Sequence, residues 1–306
     1  MAVLNQVLVL FFLILIGYTA RRAKVIDDGA IAHFSTFVLY ITLPALILAA
    51  MQRPFSMDLL GEAGIALGLS LGIYAFAFAV ALIYPNLIGL RSKERGVHRY
   101  ALIFSNVGYM GYPVVEAILG PAAIFHLAIY NIPFNLFAFS IGAWIVAKDG
   151  EQRVKLSWKT FVNPAVLATL VGFVFFIGSV RFPDPLYRTL DMTGDATTPI
   201  SMIVIGTILA RMDVKRILGK PWNYLTILFR LVLLPAMTGV ILYALGVRGL
   251  LFGLSVLITA MPVAASVSIM AEAYDGDGES ASALVFVSTL LSVATSPLVA
   301  LAIAGL

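Results

Sequence analysis

Apolar runs of about 20 residues, the length needed to cross a hydrocarbon core of about 30 Å, recur ten times along this chain. They fall near residues 3–20, 31–51, 59–84, 99–118, 121–147, 161–179, 186–210, 222–246, 249–272 and 281–304. In hydrocarbon every backbone N–H and C=O must be satisfied within the protein, which leaves helices as the fold for such runs. Composition agrees: 61% of the 306 residues are hydrophobic, 12% are charged and the mean hydropathy is +0.99. The expected fold is an all-α polytopic membrane protein of ten transmembrane helices. No basic residue precedes the first run and Arg21, Arg22 and Lys24 follow it, so it reads as a first span and not as a cleaved leader.

The excess of basic residues orients this chain; it does not mark a nucleic-acid partner. Alternate connections hold fifteen Lys and Arg on one side and four on the other. The rich side comprises Arg21, Arg22, Lys24; Arg91, Lys93, Arg95, Arg99; Lys148, Arg153, Lys155, Lys159; and Arg211, Lys215, Arg216, Lys220, while Arg53, Arg181, Arg188 and Arg248 face the other way. Because basic residues are retained inside, both termini are expected outside the cytoplasm of a plasma membrane protein. Only Arg230, inside the eighth run, stands apart from this count. Cysteine is absent, which excludes disulfides, thiolate zinc sites and cysteine nucleophiles, and His33, His98 and His126 are too scattered for a metal cluster.

Cut near residue 150, the chain gives halves 1–150 and 151–306 with five runs each, and an odd number forces the second half to enter the membrane upside down. Punctuation supports this inverted repeat. Thr42 and Pro44 in the second run match Thr197 and Pro199 in the seventh, and "MGYPVVEA" around Pro113 matches "TAMPVAAS" around Pro262. In the fourth run Asn106, Gly108 and Gly111 accompany Pro113, so the helix is expected to unwind just before the proline. The ninth run is expected to break at Pro262, flanked by Thr259, Ser266 and Ser268. Paired interruptions in inverted halves point to a transporter's midplane site. The amides and dipoles of two facing half-helices would cradle an anion without a buried lysine.

"NVGYMGYP" resembles the auxin efflux carrier family, which includes plant auxin exporters and bacterial malate and malonate permeases. "GDATTPISMIVIGTILA" from Gly194 is similar to that family's seventh helix, "AMPVAASVSIMAEAY" to its ninth and "NPAVLATLVGF" from Asn163 to its sixth. The resemblance implies two inverted five-helix repeats with crossing broken helices four and nine, as in the sodium/proton antiporter and bile-acid symporter folds. It also implies an elevator-type carrier: helices one, two, six and seven form a scaffold, often dimeric, and helices three to five and eight to ten move. Asn106, Pro113 and Pro262 carry over as substrate-contacting and break residues. The plant exporters' long cytoplasmic loop is missing, so the implied substrate is a small organic anion, an auxin-like carboxylate or a dicarboxylate such as malate or malonate.

Around these breaks the candidate substrate-binding residues are Asn106, Gly108, Gly111, Tyr112, Pro113, Met261, Pro262 and Val263. Asn131 and Asn135, one turn apart on the fifth run, and Ser288, Ser292 and Thr295 on one face of the tenth, line the path or glue helices together. Asp195, Glu116 and His126 are candidates for proton or sodium coupling, since an ionisable group at membrane depth costs about 2.5–3.5 kcal/mol. Glu116, His126 and Glu272 also read as side chains that bend out to the interface. Gly64, Gly68 and Gly72 are expected to permit close helix packing. No metal or cofactor is implied: Ser280 and Phe286 occupy the glycine and glutamate positions a calcium loop would need after Asp275, and neither a zinc-protease motif nor a phosphate loop occurs. Convergent acid, base and nucleophile groups are lacking, so the chain is not read as an enzyme. A potential-driven uniporter and a solute sensor acting through a partner stand as alternatives.

Overall fold

The computed structural model describes residues 2–90, 92–149, 163–211 and 220–304. The expected repeat boundary at 150–151, and Arg91, Arg153, Lys155, Lys159, Lys215 and Arg216, lie outside the described residues. Within them the chain is helical, and the one β-type pairing is an isolated antiparallel bridge between Ser105 and Val263. Among the described residues six helices are long and apolar enough to cross a membrane: Asp28–Ala50, Met57–Leu87, Ala122–Lys148, Asp184–Ala210, Pro221–Ala244 and Gly278–Ile303. Val107–Leu119, Pro164–Ile177 and Gly249–Thr259 are shorter apolar helices. The protein is an integral membrane protein.

Contacts divide the chain into two compact units. The first is Met1–Gly68, Gly108–Ile132 and Val162–Met212; the second is Leu69–Val107, Pro133–Phe161 and Asp213–Leu306. In the first unit α1 (Ala2–Arg22) packs against α12 (Thr197–Arg211), and α3 (Leu43–Ala50) packs against both α10 (Pro164–Ile177) and α11 (Asp184–Asp195). This unit also holds α2 (Asp28–Phe37), α6 (Tyr112–Leu119) and α7 (Ala122–Tyr130). The α1–α12 contact is backbone to backbone: a Cβ on Gly17 would sit on the Ile203 carbonyl, and one on Gly206 on the Ile14 carbonyl. The second unit contains α5 (Ser92–Ile103), α8 (Ile132–Phe137) with α9 (Ala143–Asp149), α13 (Pro221–Leu228), α14 (Leu234–Ala244), α15 (Gly249–Thr259), α16 (Ser266–Ala273) and α17 (Gly278–Ala304). The 31-residue α4, Met57–Leu87, contributes to both.

Helix starts follow local chemistry. Asp27 caps α2 by accepting from the Ala30 N–H at 2.7 Å, and Asn163 caps α10 by accepting from the Ala165 N–H at 2.8 Å. Prolines inside runs act differently from expectation. Pro44, Pro113 and Pro235 each follow by two residues a wide π-turn, at Val38–Thr42, Val107–Gly111 and Phe229–Leu233. In two of these turns the closing bond reaches back five residues, from Leu43 N–H to Val38 O and from Leu234 N–H to Phe229 O. The wider turn moves the carbonyl with which a proline ring would clash, so the helix continues past Pro113 instead of unwinding before it. The glycines of α4 also depart from expectation. A Cβ on Gly64, Gly68 or Gly72 would meet nothing within 4 Å, so these glycines mediate no close packing within the described chain.

In the second unit Lys220 donates to Asp277 Oδ2 at 2.6 Å and to Glu94 Oε1 at 3.2 Å, while Asp277 accepts from the Ser280 N–H at 3.1 Å at the start of α17. Burial pushes the Asp277 pKa up, but the Lys220 and Ser280 hydrogen bonds outweigh it and hold the carboxyl below its ordinary value. A depressed carboxylate stabilises the fold above its unfolded pKa and loses that contribution as pH falls through the folded value. Asp277→Asn is expected to destabilise the protein by about 1–2 kcal/mol at neutral pH. It is also expected to flatten the acid limb of the unfolding midpoint below about pH 4, which thermal unfolding across a pH series measures.

Candidate functional site

Two of the helical runs are broken, and the breaks touch. After α5 ends at Ile103, residues Phe104, Ser105 and Asn106 leave the helix before the π-turn at Val107 begins; after α15 ends at Thr259, the chain is irregular until α16 starts at Ser266. The two irregular stretches pair as a minimal antiparallel ladder. The Asn106 N–H donates to Pro262 O at 2.8 Å and the Ala264 N–H donates to Phe104 O at 3.1 Å. Pairing replaces the intrahelical bonds that the breaks forfeit, which matters because an unsatisfied backbone group at membrane depth costs several kcal/mol. Phe104 is fully buried and packs on the rings of Tyr74, Phe78, Tyr100 and Phe134 with centroid separations of 6.0, 6.1, 4.6 and 5.9 Å.

Arg230 completes the crossing. It sits in the π-turn before α14, is 1% exposed, and donates from Nη1 to Leu102 O at 2.7 Å and from Nε to Met261 O at 3.2 Å. Leu102 O is at the C-terminal end of α5 and Met261 O lies two residues past the end of α15, so the guanidinium meets the negative ends of two helix dipoles. A crossing of two broken helices brings two negative and two positive ends together and is by itself close to neutral. The guanidinium thus places a buried cation on those two negative ends.

The expected site residues distribute unevenly. Asn106, Met261, Pro262, Val263 and Ser288 come together at the crossing. Ser288 Oγ accepts from the Val263 N–H at 3.0 Å, so this serine satisfies the break's backbone. Ser292 lies one turn further on, its hydroxyl donating to Thr289 O at 2.7 Å. The amides of Asn106, Val263 and Ala264 are therefore taken by pairing, contrary to the expectation of free amides at both breaks. Tyr100 and Ser266 join hydroxyls at 2.7 Å and fasten α5 to the first residue of α16. Asn135 is buried in the second unit; Asn131 belongs to the first, where it hydrogen-bonds Tyr112. Gly108, Gly111, Tyr112 and Pro113 are likewise assigned to the first unit.

The acidic candidates line a separate cavity of about 480 Å³ within the first unit. Glu116, Asp191, Asp195, Arg53, Gln52 and Tyr187 face it. Glu116 Oε2 accepts from Thr198 Oγ1 at 2.7 Å, and Asp195 ends α11 one residue before the turn at Ala196. His126 does not bend outward as expected: it is 2% exposed and its Nε2 lies 2.7 Å from Glu62 Oε2, because a carboxylate on α4 reaches in to meet it. Glu272 is exposed at the end of α16. Among the described residues no group of three or more His, Asp or Glu is placed to hold a metal ion.

A family model described as membrane transport protein matches residues 2–157 and 152–300. The chain belongs to that family, which is the auxin efflux carriers'. Among curated relatives of this carrier, the "Putative malonate transporter" of Rhizobium meliloti is 27% identical over 299 residues, covering 94% of this chain and 92% of that one. An uncharacterized transporter of Methanothermobacter thermautotrophicus is 26% identical with 96% of each chain covered. The uncharacterized transporter YfdV of Escherichia coli K12 is 21% identical with the same coverage. Family membership makes this carrier a membrane transporter.

Within the carrier, Arg230 is the residue that reading the sequence for paired prolines misses. One signal was available. An arginine in the middle of an apolar run that holds no acid must find carbonyl acceptors, and carbonyls free to accept occur where helices end.

Proposed function

We propose that this carrier is a secondary transporter of a small organic anion, a dicarboxylate of the malonate and malate class or an auxin-like carboxylate. It works by elevator-type alternating access on ten transmembrane helices in two inverted repeats. Helices three to five and eight to ten carry the substrate, and helices one, two, six and seven form the scaffold of a homodimer. Both termini lie outside the cytoplasm, from the fifteen-to-four asymmetry of basic residues. The observation that carries the reading is the buried cation at the crossing: Arg230, 1% exposed, donates to Leu102 O and Met261 O beside the paired breaks. The malonate assignment of the Rhizobium relative supports the same substrate class. Coupling to protons or sodium runs through Glu116 and Asp195, which share one cavity, while His126, paired with Glu62, serves packing.

The test is uptake of labelled malonate, malate and indole-3-acetate into proteoliposomes, with and without a pH gradient. The wild type is expected to show saturable uptake of at least one of the three, and a proton-coupled carrier to respond to the gradient. Asn106→Ala is expected to reduce flux about 10- to 100-fold, the equivalent of one lost hydrogen bond to a charged group, with little change in the unfolding midpoint. Absence of uptake of all three by the wild type would overturn the reading; normal flux in the variant would remove Asn106 from the site.

A further inference from the structure

A groove of about 650 Å³ opens on the second unit between α14, α15 and α17, lined by Pro235, Gly239, Tyr243, Phe252, Val256 and Leu298 among others. Its walls are almost wholly hydrocarbon, and two of the three helices that form it belong to the membrane-crossing segments Pro221–Ala244 and Gly278–Ile303. Thr295 and Tyr243 are its hydroxyl-bearing lining residues, so water has few partners there and a hydrated groove is unfavourable. The groove follows α14 from Leu231, beside the buried Arg230, to Tyr243, one residue from the helix end. Twelve residue steps at helical rise span about 18 Å, close to the roughly 15 Å depth of one leaflet, half of the hydrocarbon core. At its outer end the Arg248 guanidinium lies 3.6 Å from the Tyr243 ring centroid, with Nη1 held by Tyr243 O and Val247 O at 2.8 Å each. A fixed cation stands at the mouth of an apolar slot one leaflet long.

We propose that this groove is a binding site for one phospholipid, its acyl chain lying along Pro235, Gly239 and Phe252 and its phosphate against Arg248. The length of the slot selects a single chain, and the cation at its mouth selects an anionic headgroup. Gly239 keeps the slot open: a Cβ there would approach Val256 Cγ2 at 3.7 Å and Phe252 Cζ at 4.0 Å, so a small side chain is tolerated and a large one fills the space. The inner end of the chain would abut Leu231 and Val232 in the π-turn that carries Arg230. The site does not depend on what the carrier moves.

The experiment is native mass spectrometry of the delipidated protein titrated with dioleoyl phosphatidylglycerol. One lipid is expected to be retained beyond detergent exchange. Gly239→Trp and Ala236→Phe, which fill the slot, are expected to weaken retention roughly tenfold, the equivalent of about two buried methylenes. Arg248→Gln is expected to weaken it about fivefold. A phosphatidylglycerol bearing a diazirine on its chain tests the wild type directly, with crosslinks expected in 231–244 and 295–303. Labelling spread evenly over all spans, retention unchanged in both slot-filling variants, or a dimer in which a second copy shields the groove from the probe would overturn the assignment.

Discussion

Replacing Arg230 with methionine or glutamine is expected to abolish saturable anion flux, while lysine keeps part of it. The three variants separate charge from hydrogen bonding. In the wild type one planar group spans two carbonyls on different helices, Leu102 O at 2.7 Å and Met261 O at 3.2 Å. Methionine fills the volume but leaves both acceptors without that donor, at about 1–3 kcal/mol each, partly offset because a charge is no longer held away from water. Glutamine keeps a donor for one carbonyl and loses the charge. Lysine keeps the charge as a point and loses the planar fork. At an effective dielectric of about 20 and a separation of roughly 6 Å, a cation and a carboxylate attract by about 3 kcal/mol, near a hundredfold in affinity. Glutamine should therefore fold better than methionine and transport no better, which flux and unfolding midpoints measured on the same preparations would establish. Flux in the glutamine variant equal to that of lysine would show that charge is not what the crossing supplies.

Gly206→Val is expected to prevent accumulation of folded protein, with a cost above about 4 kcal/mol, at the far end of single-substitution effects. Its Cβ would fall on the Ile14 carbonyl and 2.7 Å from the Tyr18 nitrogen. Both are backbone atoms of α1, and no rotamer change clears them. Gly17 makes the reciprocal approach to Ile203 on α12, so neither helix can retreat at one contact without opening the other. Gly64→Ala, Gly68→Ala and Gly72→Ala are expected to leave stability unchanged or raise it by up to about 1 kcal/mol each, since alanine favours the helix and each Cβ has open space. The yield of monodisperse protein and the unfolding midpoint of the four variants test the contrast.

The contrast also shows what could be read in the sequence. Three glycines at four-residue spacing on one run look like a packing face, yet two single glycines on α1 and α12 make the close crossing. Spacing within one helix reports a smooth face, and only the partner decides whether anything lies on it. The membrane class and the apolar runs were legible because hydrocarbon thickness imposes a length. Pro262 was legible as a break, and it lies in the irregular stretch between α15 and α16. Pro113 misled, because a proline demands relief of one clash and one missing donor, and a π-turn relieves both without unwinding the helix. The break that does form at Phe104–Asn106 owes its position to pairing with Pro262 and Ala264 from residues more than 150 positions away, which no local pattern encodes. His126 is a similar case: alone it looks like an interfacial side chain, and its 2.7 Å contact with Glu62 comes from a residue 64 positions earlier.

If the crossing beside Arg230 binds the substrate anion, a group placed next to the break is shielded when the anion is present. The chain contains no cysteine, so a single Ala265→Cys, at the partly exposed residue before α16, gives one thiol beside the break. The decisive measurement is its rate of modification by a small thiol reagent as malonate is added. Saturable slowing by malonate is expected, with no slowing by the uncharged diamide and loss of protection when Arg230→Gln is combined with the cysteine. An unchanged rate at malonate concentrations that saturate transport would contradict binding at the crossing.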